Sequence, residues 1–189
     1  MNRTTIAVLA ATAVVAAACS SSSETDSTAE PTPSAATTTS VAAATTAPAD
    51  SPAAVPAQLQ FTSTTLSGEP FSGETLAGKP AVLWFWAPWC PTCQREAPML
   101  GQVSAANPDV TFLGVAGLDE VPAMKEFVDK YAVDNFTQIA DTDGDVWMKF
   151  GVTKQPAFAF VTADGTVDVV KGTLPESELT ERVQALSNP

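Results

Sequence analysis

Histidine is absent from the 189 residues, cysteine occurs only three times, and nine basic residues stand against 21 acidic ones. Each scarcity excludes a class of function. A structural zinc site needs about four Cys or His ligands, and this chain offers a close pair, Cys90 and Cys93, with a third cysteine, Cys19, far away in sequence. No metal is expected, and the lack of imidazole also counts against a copper-delivery protein. Gln94 follows the pair where a c-type haem attachment site would have histidine. The shortage of positive charge argues against nucleic acid as a partner: from Ala57 onward 8 basic residues face 17 acidic ones. That acidity is read as solubility rather than as a specific electrostatic role. The apolar run 6–18 falls short of the roughly 20 residues that a membrane-spanning helix needs, and no positive cluster follows it. A lasting transmembrane helix is not expected, and no internal repeat is apparent.

What is present divides the chain into three parts. Residues 1–18 carry one positive charge, Arg3, and then an Ala/Val-rich run ending in small residues, the pattern of a signal peptide. The small residues before Cys19 resemble a bacterial lipobox, although Ala16 stands where leucine is commoner. Lipidation of Cys19 would anchor the chain to the outer face of the cytoplasmic membrane; plain secretion after nearby cleavage is the alternative. Residues 19–56 are almost entirely Ser, Thr, Ala and Pro after Cys19, with four acids and no aromatic or basic residue. Such a composition cannot bury enough apolar surface to offset its ordering entropy, so a tether with a reach on the order of 35 Å is expected. It also permits O-glycosylation. Residues 57–189 form the expected folded domain.

Within that domain, short apolar runs alternate with amphipathic ones. Strands are predicted at 59–64, 81–86, 110–115 and 138–140, with turns at Ser67-Gly68 and Ser72-Gly73. The run 81–86 is continuously apolar and should be buried on both faces. Helices are predicted at 90–105, 121–131, 146–150 and 176–186. Pro91 is acceptable in the first turn of its helix, and Pro98 should kink it. Strands 157–161 and 167–171 form a hairpin around Asp164-Gly165. This order implies an α/β fold, a mixed sheet with helices on both faces.

The chemistry resides in Trp89-Cys90-Pro91-Thr92-Cys93. A dithiol site needs one thiol that is partly ionised and accessible and a second within bonding reach to resolve the mixed disulfide. Two cysteines three apart at a helix start share one face, and the first sits where unpaired N–H groups and the helix dipole favour a thiolate. Cys90 is therefore the expected attacking sulfur and Cys93 the buried resolving one. A static structural disulfide is the alternative.

The run from Phe85 to Cys93 resembles the active-site strand and turn of the thioredoxin superfamily, with Pro98 where that family kinks its first helix. The resemblance covers about residues 58–186. Gly78-Lys79-Pro80, Glu96-Ala97-Pro98 and the helix-bearing insert 121–141 are similar to the extracytoplasmic TlpA/ResA/DsbE branch, and within it to the DsbE- and DsbF-like lipoproteins of actinobacteria. The resemblance implies a thioredoxin-like fold with an N-terminal β-hairpin. It makes Pro156 a cis-proline facing the cysteines, with Gln155 offering its backbone to an extended substrate. Trp89, Pro91 and Thr92 would complete the docking surface, although core packing is the competing role for Trp89; Trp86 is assigned to the core. Arg95, on an exposed helix face, is expected to do little. Glu96 matches a glutamate that the ResA-like branch keeps beside its cysteines, which implies proton exchange with Cys93 and a pKa raised by burial; a solvated helix glutamate is the alternative. Thioredoxin's buried Asp, six residues before the first cysteine, is replaced by Trp84.

The resulting expectation is a tethered enzyme with no cofactor beyond its Cys90–Cys93 pair. Its partners would be exported cysteine-containing proteins and a membrane redox protein. Pro-Thr between the cysteines matches neither the Gly-Pro of reducing thioredoxins nor the Pro-His of strong oxidants. The resemblance and the oxidising exterior favour an oxidase, with a reductase of apocytochrome c as the leading alternative. A peroxiredoxin would have Thr or Ser where Ala87 stands, and a binding module with an inert disulfide would show no thiol reactivity. Asp141-Thr142-Asp143-Gly144-Asp145 imitates a calcium loop but has glycine at the wrong position and Val152 at the twelfth, so it is read as a turn.

Overall fold

The computed structural model describes residues 55–187. The expected signal peptide, Cys19 and the tether up to residue 54 lie outside the described residues. Among those described, no helix is long and apolar enough to cross a membrane.

In chain order the elements are β1 (Thr62–Thr65), β2 (Pro70–Ser72), β3 (Ala81–Trp86), α1 (Pro91–Ala106), β4 (Thr111–Gly117), α2 (Val121–Tyr131), β5 (Thr137–Asp141), α3 (Asp145–Lys149), β6 (Ala157–Val161), β7 (Val167–Lys171) and α4 (Glu176–Ser187). The strands form one mixed sheet in the order β2-β1-β5-β4-β3-β6-β7. β3, β4 and β5 are parallel, and the flanking strands are antiparallel.

This topology follows from β3. Its six residues are all buried, and because strand side chains alternate, Val82, Trp84 and Trp86 enter one core while Ala81, Leu83 and Phe85 enter the other. The crossovers from β3 to β4 and from β4 to β5 step in the same direction, so right-handed connections put α1 and α2 on one face. The return from β5 to β6 runs the other way and puts α3 on the opposite face, where Val146 and Trp147 pack. α4 joins α1 and α2 through Leu179, Val183 and Leu186. On α1 the buried positions Cys93, Glu96, Ala97, Leu100 and Val103 recur at helical spacing. Burying each such leucine or valine contributes roughly 1.5–3 kcal/mol.

Several expected boundaries move for local reasons. The strand expected at 59–64 begins only at Thr62, because Ala57–Leu59 is a 3₁₀ turn that seats the fully buried Leu59 under the sheet. Gly68, at φ +95°, turns the β1–β2 hairpin through its N–H bond to Thr65 O at 2.9 Å. The turn expected at Ser72-Gly73 is instead the end of β2 and the first residue of a second 3₁₀ turn, Gly73–Leu76. A Cβ at Gly73 would collide with the Phe61 ring, so the chain passes this close only as glycine. α1 starts at Pro91 rather than residue 90, which leaves Cys90 as its cap. The calcium-like segment is a turn in which Asp141 Oδ1 accepts from Val146 N–H at 3.1 Å and Oδ2 from Trp147 N–H at 2.9 Å.

Candidate active site

β3 ends at Trp86 with Ala116 of β4 opposite on one side, while Phe85 pairs with Ala157 of β6 on the other. The chain therefore leaves the sheet at the carboxyl end of a central strand, next to the segment that enters β6, the position where α/β folds gather ligands and reactive groups. Cys90 follows a tight turn, its N–H donating to Ala87 O at 3.1 Å. Its backbone is extended, and Pro91 opens α1 at a position where a missing N–H costs nothing. The Cys90 sulfur then accepts the backbone N–H of Cys93 at 3.1 Å. Gln94 Nε2 donates to Pro88 O at 2.9 Å, fastening the loop to the first helical turn, and within that turn the exposed Arg95 donates to Thr92 Oγ1 at 3.1 Å.

The two cysteines form a disulfide with their Cα atoms 5.3 Å apart. Cys90 retains 4% of its surface exposed and Cys93 none. Once the bond opens, a thiolate at Cys90 would face an orphan N–H at the positive end of a 16-residue helix. A thiolate at Cys93 would sit in an apolar environment that disfavours charge.

One turn further along α1 lies Glu96, buried at 7% exposure. Burial raises its pKa from 4.5 to about 7, with the Trp84 indole and, more weakly, the charge of Arg95 pulling it down. The Trp84 interaction falls short of hydrogen-bond geometry: both Glu96 oxygens and Trp84 Nε1 are buried without a hydrogen-bond partner. A solvated helix glutamate is therefore ruled out for Glu96, and an acid with a pKa near neutrality stands three residues from Cys93.

Trp89 is 53% exposed, which removes the core-packing alternative. Its ring is nevertheless held, because Nε1 donates to Leu118 O at 3.1 Å. Leu118 is itself exposed and adopts φ +60°, a left-handed conformation that non-glycine residues rarely occupy. Beside them, a groove of about 280 Å³ runs between the start of α1 and α2, lined by Pro88, Trp89, Gln94, Asp119, Phe127 and Tyr131 among others. At the entry to β6, next to the end of β3, Gln155 is half-buried and Pro156 buried, with a cis bond between them. Pro156 O accepts from Gly172 N–H at 2.9 Å. Pro91 is exposed and Thr92 half-buried. The larger cleft, about 640 Å³, lies against β1, α2 and β5 and includes none of the predicted site residues.

Sequence reading missed the support for this arrangement. Trp86 Nε1 donates to Gln138 Oε1 at 3.0 Å, and Gln138 Nε2 donates to Val133 O at 2.8 Å. Gly114 leaves space for that amide, since a Cβ there would overlap the Gln138 side chain. Trp86 stacks on Trp84 at 5.6 Å and on Phe127 at 4.2 Å. A glutamine next to Ile139 and Ala140 in an expected strand was the available signal for Gln138. Leu118 carried none. Among the described residues no cluster of three or more metal-ligating side chains occurs.

The chain is similar to known proteins over most of its length. The AhpC/TSA family matches residues 54–170. The soluble secreted antigen MPT53 of Mycobacterium tuberculosis is 54% identical over 145 residues, covering 74% of this chain and 83% of the relative. The thiol:disulfide interchange protein DsbE of Pseudomonas fluorescens is 30% identical over 151 residues, covering 71% and 82%. Among solved structures, MTB dsbF in mixed oxidized and reduced forms superposes with a TM-score of 0.69 at 69% identity, covering 70% of this chain and 98% of that one. The chain belongs to the AhpC/TSA family, with a thioredoxin-like fold, and is a thiol–disulfide oxidoreductase of the DsbE/DsbF kind.

Proposed function

We propose that the protein is an oxidase that introduces disulfides into exported cysteine-containing proteins, working outside the cytoplasmic membrane at the end of a tether lipidated at Cys19. One observation carries the direction: Cys90 Sγ accepts the Cys93 N–H at the head of α1. A contact that stabilises the Cys90 thiolate stabilises the reduced enzyme, and stabilising the reduced form is what makes a dithiol pair oxidising. The odd cysteine count supports the anchor, because it leaves Cys19 for a lipid while Cys90 and Cys93 pair.

In the proposed reaction a substrate thiolate attacks Cys90 Sγ, and the Cys90–Cys93 bond breaks. Cys93 leaves as a thiolate and takes the proton of the Glu96 carboxylic acid, avoiding a buried negative charge on sulfur. The second substrate thiol gives its proton to the Glu96 carboxylate and attacks the mixed disulfide, and Cys90 departs as a thiolate. The substrate loses two electrons and the pair gains them. Trp89, Pro91 and Thr92 take the substrate on one side, and the Gln155 backbone beside Pro156 takes an extended segment on the other. Recognition of main chain would give broad tolerance. A membrane redox protein would reoxidise the pair.

The test is the reduction potential of the pair, followed by tryptophan fluorescence in glutathione buffers and coupled to refolding of a reduced disulfide protein. A potential well above the value of about −270 mV typical of thioredoxin, together with refolding activity, is expected. A value near −270 mV without refolding would instead favour a reductase of apocytochrome c or other envelope thiols, the reading that likeness to DsbE and ResA proteins supports.

A further inference from the structure

Trp84 and Glu96 act on each other in one core, yet each leaves its buried polar atoms unpaired. Buried indole N–H groups and carboxylates almost always find hydrogen bonds, yet Trp84 Nε1 and both Glu96 oxygens have none. One is purely a donor, and the other becomes purely an acceptor on ionisation. They interact across the same core, since Trp84 lies on the face of β3 that meets α1 and its indole acts on the Glu96 carboxyl.

We infer that Trp84 is a positioning residue for Glu96: its indole N–H is a fixed donor that receives the Glu96 carboxylate when Glu96 passes its proton to Cys93. The inference rests on the thiol–disulfide reading above and on Glu96 as proton donor. It explains why the donor is held so firmly. The Trp84 ring is stacked on Trp86 at 5.6 Å and tilted against Phe127 at 6.1 Å, and Trp86 is itself fixed through Gln138. The indole is 1% exposed and cannot swing to water, so the glutamate must come to it. A bond to the carboxylate is charge-assisted and stronger than one to the neutral acid, so Trp84 favours the ionised form that Glu96 takes once it has given up its proton. The charge of Arg95 acts on Glu96 from an exposed position. Cys90 and Cys93 are the titratable groups beside it once the disulfide opens. The proton movement conserves charge: the Cys93 thiolate becomes a thiol as the Glu96 acid becomes a carboxylate.

The experiment compares full-length wild type, Trp84→Phe and Glu96→Gln. Trp84→Phe keeps an aromatic ring against Trp86 and removes only the N–H. The Glu96 carbonyl stretch, assigned by infrared difference against Glu96→Gln, is expected to titrate about one pH unit higher in Trp84→Phe, a tenfold change in its ionisation constant. The pH profile of reduction by dithiothreitol is expected to move by the same amount. A purely packing role would change the unfolding midpoint and leave both profiles in place. Should Trp84→Phe fail to fold, the wild-type chain labelled at the indole nitrogen decides: the Trp84 N–H resonance should move downfield as Glu96 ionises and stay still in Glu96→Gln. An indole signal indifferent to pH while Glu96 titrates overturns the inference and leaves the enzyme reading intact. Absence of exchange with any disulfide or dithiol would instead strike the enzyme reading.

Discussion

The Cys93 backbone N–H points at the sulfur of Cys90 from 3.1 Å, so the residue proposed to resolve mixed disulfides also solvates its partner. The relation is asymmetric. Cys90 keeps a small opening to solvent and gains the helix N-terminus, while Cys93 is closed off completely. Cys93→Ser is therefore expected to accumulate mixed disulfides through Cys90, visible on non-reducing gels of exported protein and absent after reduction. Cys90→Ser should trap none. The opposite pattern would reverse the assignment of the two sulfurs.

Glu96 ties stability to pH with a definite sign. Burial raises its pKa from 4.5 to about 7, so the fold favours the neutral acid. That preference contributes fully below pH 4.5 and is lost as the pH rises through about 7. At about 1.4 kcal/mol per unit, discounted for solvent screening, oxidised wild type should lose on the order of 2 kcal/mol across this window. Glu96→Gln should lose much less over the same range. Urea denaturation of both oxidised proteins at pH 4.5, 6 and 8 checks this, and parallel pH profiles would contradict the burial argument.

Trp89 is fixed by its bond to Leu118 O yet half open to solvent, as a docking residue would be. Trp89→Ala should change unfolding free energy by less than about 1 kcal/mol, because little of the core is touched. Its exchange with a reduced protein substrate should slow about tenfold, the usual effect of truncating an aromatic anchor. Reaction with dithiothreitol, which needs no docking surface, should be nearly unaffected. Equal slowing with both reductants would locate the defect in the disulfide rather than in docking.

What the sequence made legible was local. The apolar run of β3, the helix that follows it at the cysteine motif and the turn at Asp164-Gly165 depend on neighbours within a few residues, and all are observed, the helix starting one residue later than expected. The sequence also held the substitution of Trp84 for an acid and the position of Glu96 one turn after Cys93. It did not disclose that the two would meet unpartnered, since residues 84 and 96 are brought together only by packing α1 on β3. The left-handed Leu118 was equally hidden, because it is set by where β4 stops and α2 begins rather than by any turn-forming residue. The strand expected at 59–64 erred for the same reason: Leu59 is buried by a 3₁₀ turn under the sheet instead of within it.

Asp141 offers a test of its own. Its carboxylate accepts from the Val146 and Trp147 N–H groups, and Trp147 Nε1 donates to Val115 O at 3.2 Å. The residue caps α3 and holds Trp147 against β4. Asp141→Ala should destabilise the domain by about 1–2 kcal/mol, the cost of a lost helix cap. Calcium should leave the wild-type melting temperature unchanged, since both oxygens of this carboxylate already serve the backbone. A calcium-dependent rise in melting temperature would restore the calcium-loop reading.

Gly114 is where the support of the site is most exposed to a single methyl group. It lies in β4 between β3 and β5, opposite Trp84 on one side and Gln138 on the other, and an added Cβ would fall within the Gln138 amide. Gln138 can retreat only by breaking its bonds to Trp86 Nε1 and Val133 O, which would leave buried polar groups unpaired. Gly114→Ala is therefore expected to destabilise the domain by roughly 2–4 kcal/mol, combining overpacking with a lost buried hydrogen bond. Gln138→Leu removes the Trp86 bond without the clash and should cost less in stability. In both variants Trp86 loses its anchor, so the fluorescence change between oxidised and reduced forms should differ from wild type. If Gly114→Ala is as stable as wild type, the amide has room to move and Gln138 does not fix Trp86.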